Sequence, residues 1–359
     1  MKALKKQHQR RGLDLVEAPI PQVGAEDVLI RVDKSAICGT DVNIYAWKDW
    51  SQENVVVPTT IGHEFVGTVV EVGSAVEKHL LEKRVSAEGH LTCRQCKNCL
   101  TGLMHLCPHT KGIGIHRDGC FAEYISVPAV NVIPIPSFID DEIAAILDPL
   151  GNAVHTCSAF PLAGKTVLIT GAGPIGLMAV NISRFFGASS VTICDPNPNR
   201  RAAVSRKQAT MVYDPCTSSA KEVSQELALK DGFDVGLEMS GSPQALEDMI
   251  RGLRPGGQMA VLGIFPKSVP VAMNEIIFKG INLKGIYGRK MFATWYQMFS
   301  LLEAGLEIDS VITRTYSFFD YESAFSMMEE GNCGKVLFDW NAPKCQFQKE
   351  APYALTHHR

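Results

Sequence analysis

The hydrophobic pattern of the chain changes character near residue 150. Before that point, apolar residues come in short alternating runs broken by Gly and Pro. Residues 28–32 alternate and run into Cys38, residues 65–73 are a candidate strand pair, and 84–86 and 122–127 are further strand candidates. Strands this short and this punctuated predict a compact barrel or sandwich. Beyond it, strand-length apolar runs alternate with helix-length amphipathic stretches. Strands are predicted at Thr166–Thr170, 191–194, Met211–Tyr213, Phe233–Glu238, 258–262 and 282–286, with helices at 175–186 and 243–253. Six strands joined by crossovers predict an α/β domain with a doubly wound parallel sheet. Helices at 291–303 and Tyr321–Glu330 follow, and a last strand at Lys335–Asp339 returns to the first domain. The predicted division is therefore 1–150, 151–289, a return over 290–340, and a polar tail at 341–359 that is expected to be poorly ordered.

Composition narrows the class. With 359 residues, 46% hydrophobic and 20% charged, the chain reads as an ordinary globular protein of two domains. A net charge of −3 gives no basic excess for nucleic acid or an anionic membrane. No apolar run is long enough to span a bilayer, and the basic start, Met1 to Lys6, lacks the apolar core of a signal peptide. The 11 cysteines are an odd number without an export signal, which predicts reduced, metal-binding thiols in the cytoplasm.

Four cysteines are concentrated in one lobe, about residues 88–110. Cys93, Cys96, Cys99 and Cys107 are spaced to close a tetrahedron around one ion with no open position, so that metal would be structural. An iron–sulfur cluster also takes four cysteines. The polar Arg94, Lys97 and Asn98 between the ligands favour zinc in a solvent-facing loop.

Gly171, Gly173 and Gly176 form a G-x-G-x-x-G turn between a predicted strand and helix. That context is what a dinucleotide pyrophosphate needs: a tight turn, a close backbone approach and a helix N-terminus. Asp195 ends the next strand, 19 residues after Gly176. A carboxylate there accepts from ribose hydroxyls and repels a 2′-phosphate, which favours NAD over NADP. Arg200 and Arg201 lie close by and weigh the other way.

A second metal site is expected from residue types alone. Cys38, His63 and Glu64 offer a thiolate, an imidazole and a carboxylate, the donors of a catalytic zinc with one open position. Spacing does not bring them together, and a lone Cys and a lone His are also ordinary core residues. Asp148 adds a carboxylate near the domain boundary, or caps a helix. His90, His105, His116 and His155 read as hydrogen-bonded histidines, and Trp47 and Trp50 as pocket wall or core.

Together these residues resemble the zinc-dependent medium-chain dehydrogenases over nearly the whole chain. The resemblance is carried by residues 36–42, the Gly62-His63-Glu64 turn, 88–90 leading into the four-Cys lobe, 119–124, 148–156, 233–241 and 285–289. The last two point to the threonine-oxidising branch rather than to generic alcohol dehydrogenases. The resemblance implies a GroES-like β-barrel catalytic domain and a Rossmann domain. It implies catalytic zinc on Cys38, His63 and Glu64, and structural zinc on Cys93, Cys96, Cys99 and Cys107. Asp148 would stand beside the metal, and NAD would contact Ile175, Asp195, Arg200, Leu262, Gly263, Ile264, Ile286 and Tyr287. It implies zinc-assisted, NAD-dependent oxidation of the secondary alcohol of L-threonine to 2-amino-3-oxobutanoate, usually in a homotetramer. Thr40 would take the hydroxyl proton into a relay. The family's relay ends on a His where this chain has Asn43, and Asn does not take up a proton near neutral pH. Two other readings stay open: a polyol or diol dehydrogenase on the same frame, and a non-catalytic NAD- and zinc-binding protein whose relay has decayed.

Overall fold

The computed structural model describes residues 1–265 and 267–342. The expected tail lies, from residue 343 on, outside the described residues. The first β-rich region is organised on one long strand, Asp27–Ala36. Along one edge it pairs antiparallel with Glu64–Val72, from Val28 opposite Val72 to Ala36 opposite Glu64. Its other edge is shared: Tyr124–Pro128 covers Asp27 to Arg31, and Lys335–Asp339 covers Lys34 to Ala36. Arg84–Ala87 and Val132–Pro134 extend the sheet on one side, and Ile312–Ser317 on the other. The last strand among the described residues thus completes the first sheet. Alternation along the long strand sends Val28, Ile30 and Val32 inward, where they join Phe65, Val69, Phe121 and Phe338.

Two expectations for this region are corrected. Residues 65–73, expected to be a strand pair, form a single strand, Glu64–Val72. Gly67 makes no turn in it; a Cβ there would lie 2.2 Å from the carbonyl of Arg31, so this glycine permits close strand contact. Two helices, Gly39–Ala46 and Asp49–Asn54, also stand where only short strands were expected. Only Asp41, Ile44 and Tyr45 of the first helix are buried, too few apolar positions to show a helical period.

The second sheet is parallel throughout. Its order is Met211–Tyr213, Ser190–Cys194, Thr166–Thr170, Phe233–Glu238, Leu253–Val261 and Asn282–Gly285. The first four fall where the apolar runs put them, within one residue. The fifth begins at Leu253 rather than at 258, with a register shift against Phe233–Glu238 that absorbs Pro255 and two glycines. Helix Pro174–Phe185 leaves the glycine turn with Pro at its first position, where a missing N–H costs nothing. Helix Leu147–Cys157 bridges the two halves: Leu150, Ala153 and Val154 pack in one core with Val167, Ile169, Trp295 and Met298. Among the described residues no helix is long and apolar enough to cross a membrane.

Candidate active site

Strand register brings the three distant donors together. Ala36 faces Glu64 across the pair, so the chain just beyond one strand meets the start of the other. Cys38 then precedes helix Gly39–Ala46 at its N-cap. The turn before Glu64 depends on Gly62, whose φ is +91° and whose missing side chain leaves room for the Phe121 ring. One ligand atom each from Cys38, His63 and Glu64 lies within 4.8 Å of the others. His63 Nδ1 and Glu64 Oε1 are buried and have no hydrogen-bond partner among the described residues. Buried polar atoms are ordinarily paired, so two orphans in such a donor set fit a dication of the zinc type.

The surroundings support the same fit. Asp41 is fully buried, accepts from the Cys38 backbone N–H at 2.9 Å, and places its other oxygen 3.8 Å from His63 Nδ1. Burial would lower the pKa of His63, but Asp41 and Cys38 carry it well above the ordinary imidazole value. The negative field that favours an imidazolium would equally favour a metal cation. Burial pushes the Glu64 carboxyl up, against the pull of Lys335 and His63. Lys335 donates to Glu64 Oε2 at 2.5 Å.

Asp148 is not in the three-donor group. Nor does it cap its helix: its carboxylate lies 2.6 Å from Arg289 Nη1. Arg289 also donates to both oxygens of Glu88, which accepts from Trp295 Nε1 at 3.0 Å and lies 2.9 Å from His90 Nδ1. Burial would raise the Glu88 carboxyl, but Arg289, His90 and Trp295 bring it down to about 2. His155 and His116 likewise bond backbone, at the Gly288 carbonyl and the Gly112 N–H, and His105 stands edge-on to His155. Trp47 packs against the barrel core and Trp50 is exposed. Asp41, Glu88, Arg289 and Lys335 were given no role by the sequence reading. Their partners are fixed by folding, and no spacing signals them.

The four-Cys lobe closes as its spacing predicts. Neighbouring sulfurs lie 3.5–3.8 Å apart, Cys96 to Cys99 and Cys107, and Cys107 to Cys93. A zinc tetrahedron with ~2.3 Å bonds has edges of about 3.8 Å.

On the facing half, Gly173 is the N-cap of helix Pro174–Phe185, and a Cβ there would meet nothing within 4 Å. Gly176 is the opposite case, with a Cβ falling 1.8 Å from the carbonyl of Gly171. Open space at one glycine and close packing at the other are what a pyrophosphate cradle requires. Asp195 accepts from the N–H groups of Ala172 and Asn197. Arg200 is turned to the Gly331 carbonyl, and Arg201 to the carbonyls of Asp195 and Pro196. A cavity of about 750 Å³ joins the halves, walled by Cys38, Asn43 and Glu64 on one side and Gly173, Ile175, Gly176 and Arg200 on the other. Thr40, half-buried, lies outside that wall one residue from Gly39. Gly171, Leu262, Gly263, Ile264, Ile286 and Tyr287 also lie outside it; the loop from Leu262 to Ile264 follows the carboxyl end of Leu253–Val261, and Ile264 and Tyr287 are exposed.

A barrel that gathers a thiolate, an imidazole and a carboxylate, facing a glycine-rich strand–helix turn across a cavity, has the build of an oxidoreductase using a metal and a dinucleotide. Comparison agrees. Residues 24–137 match the alcohol dehydrogenase GroES-like domain and residues 174–304 the zinc-binding dehydrogenase family. L-threonine 3-dehydrogenases of Alteromonas mediterranea and Chromobacterium violaceum are each 48% identical over 340 residues, covering 95% of this chain and 100% of theirs. An alcohol dehydrogenase structure from Escherichia coli CFT073, complexed with NADH, superposes with a TM-score of 0.88 at 26% identity, covering 95% of this chain and 99% of that one. The 2R,3R-butanediol dehydrogenase of Bacillus subtilis gives a TM-score of 0.84 at 25% identity, with 95% and 99% covered. The chain belongs to the zinc-dependent medium-chain dehydrogenase family.

Proposed function

We propose that the protein oxidises the C3 hydroxyl of L-threonine to 2-amino-3-oxobutanoate, passing the hydride to NAD and one proton to solvent. The observation that carries this reading is the convergence of Cys38, His63 and Glu64 within 4.8 Å, with Cys38 and Glu64 lining a cavity that reaches Gly173 and Gly176 of the glycine turn. The two relatives at 48% identity supply the substrate class. In this reading Cys38, His63 and Glu64 hold the catalytic zinc, and Cys93, Cys96, Cys99 and Cys107 the structural one. When bound, zinc polarises the alcohol oxygen and NAD accepts the hydride.

The rest is the work of the chain's own side chains. Thr40 accepts the hydroxyl proton through its Oγ and hands it on. Asn43, on the same helix, can orient a water through its amide but cannot hold the proton, so water must complete the transfer. Asp148 stands beside the metal without binding it, held by Arg289. Gly171, Gly173, Ile175 and Gly176 receive the dinucleotide phosphates, and Asp195 and Arg200 the adenosine ribose. Leu262, Gly263, Ile264, Ile286 and Tyr287, outside the cavity wall, are further NAD contacts in this reading. Asp195 favours NAD over NADP: Arg200 donates to the Gly331 carbonyl with its Nη1 3.8 Å from the Asp195 carboxylate, and Arg201 pairs with Asp214. The catalytic unit takes residues 1–150 and 290–340, the dinucleotide unit 151–289.

Assembly and place belong to the same reading. Leu283 is exposed on the edge strand of the parallel sheet and Ile277 and Phe278 on the helix just before it, and Leu100, Leu103 and Leu106 are exposed on the four-Cys lobe. Two separate apolar surfaces are what a homotetramer needs. The ten cysteines of the described residues are all unpaired, in keeping with the cytoplasm. A substrate panel tests the activity. L-threonine is expected to give NADH faster than sorbitol or butane-2,3-diol, whose oxidation asks for no ammonium or carboxylate site. A faster rate on either of those would move the protein to the polyol branch. Light scattering checks the tetramer.

A further inference from the structure

Lys335 opens the final strand of the barrel, and its side chain is 3% exposed. A buried ammonium needs partners for its protons, and this one has two. It donates to Glu64 Oε2 at 2.5 Å and to the Ile37 carbonyl at 3.0 Å. The first bond takes hold of one oxygen of the carboxylate and leaves Oε1 buried and without a hydrogen-bond partner among the described residues. The second holds the peptide immediately before Cys38. One ammonium therefore fixes two of the three donors, although residue 335 is 271 positions from Glu64. A pair that only stapled strands would have no reason to leave the second oxygen unmet, since an unsatisfied buried acceptor is costly.

We propose that Lys335 is a positioning residue for the three-donor metal site, holding Glu64 so that Oε1 is presented towards Cys38 and His63. The inference rests on the reading above, that these three residues hold zinc. Partners that orient a metal ligand typically contribute about 10–100-fold in metal affinity.

The test is zinc competition with a chromophoric chelator on the full-length, zinc-loaded protein. Wild type is expected to release two zinc ions per chain in two separable steps, one of which Cys38→Ser abolishes. In Lys335→Met the affinity of that same step should fall about 10–100-fold, while the four-Cys zinc is unchanged and reports an intact lobe. In a Glu64→Gln background, Lys335→Met should cause a smaller further loss than in wild type, because only its hold on the Ile37 carbonyl is left to remove. Lys335→Arg, which keeps charge and donors, should recover part of the affinity. Should Lys335→Met fail to fold, Lys335→Gln replaces it under the same criteria. Equal affinity in Lys335→Met and wild type, or an equal loss with and without Glu64, overturns the role of Lys335 and leaves the metal site standing. A wild type with a single zinc, retained by Cys38→Ser, overturns the site itself.

Discussion

Arg289 and Glu88, 201 positions apart, form a two-pronged ion pair shut off from solvent, Nε to Oε2 at 2.8 Å and Nη2 to Oε1 at 2.5 Å. The pair joins the end of the parallel-sheet region to the barrel, and the third arm of the guanidinium reaches Asp148. One cation thus pairs with two buried carboxylates beside the candidate metal site. Removing it leaves both charges stranded. Arg289→Met is expected to lose about 3–5 kcal/mol of stability, measured by urea unfolding, and pairing it with Glu88→Gln should return part of the loss.

The same pair sets an acid limit. The Glu88 carboxyl titrates at about 2 in the folded protein, below the ~4.3 of an unfolded chain. A depressed folded-state pKa contributes stability that is complete above the unfolded value and disappears as pH falls through the folded one. Wild type should therefore lose stability as pH drops from about 4 towards about 2. Glu88→Gln should show a flatter profile in that window by thermal melts.

Much of this could be seen in the sequence, for physical reasons. The parallel sheet was legible because each buried strand is a short apolar run ending in a turn residue, as at Thr170-Gly171 and Cys194-Asp195. The four-Cys lobe was legible because its ligands are close in the chain. Asp41, Glu88, Arg289 and Lys335 were not, because a buried charge has no sequence signature of its own. For Glu88 and Arg289 the partner lies 201 positions away and for Lys335 271, and folding alone brings them together. The helix Gly39–Ala46 was hidden by weak periodicity, although Cys38 at its start was singled out.

Cys99 tests the four-Cys lobe. Cys99→Ser should reduce bound zinc from about two to about one per chain and lower the melting temperature, because metal-binding energy in such a lobe is folding energy. Atomic absorption alongside a thermal melt reads both.

Cofactor choice should depend on Asp195. Asp195→Ala removes the carboxylate that would accept from the ribose and repel a 2′-phosphate, a charged contact worth about 1.5–3 kcal/mol. The ratio of NAD to NADP affinity, from nucleotide titrations, should fall by about 10–100-fold.

In the proposed relay, Asn43 occupies the position where the proton leaves. Asn43→His supplies a group that can carry the proton, a function typically worth about 10²–10⁴-fold when complete. With water serving in its place in the proposed relay, the gain in kcat near neutral pH should stay at or below about 10²-fold, with little change in the KM for threonine. Steady-state kinetics across pH would show the new ionisation.

The decisive measurement is NADH absorbance with L-threonine and NAD, before and after stripping zinc from the three-donor site and after returning it. The account predicts a threonine-dependent rate that is lost on stripping and restored by Zn²⁺. A rate unaffected by stripping, or no threonine-dependent NADH from fully loaded protein, would contradict it.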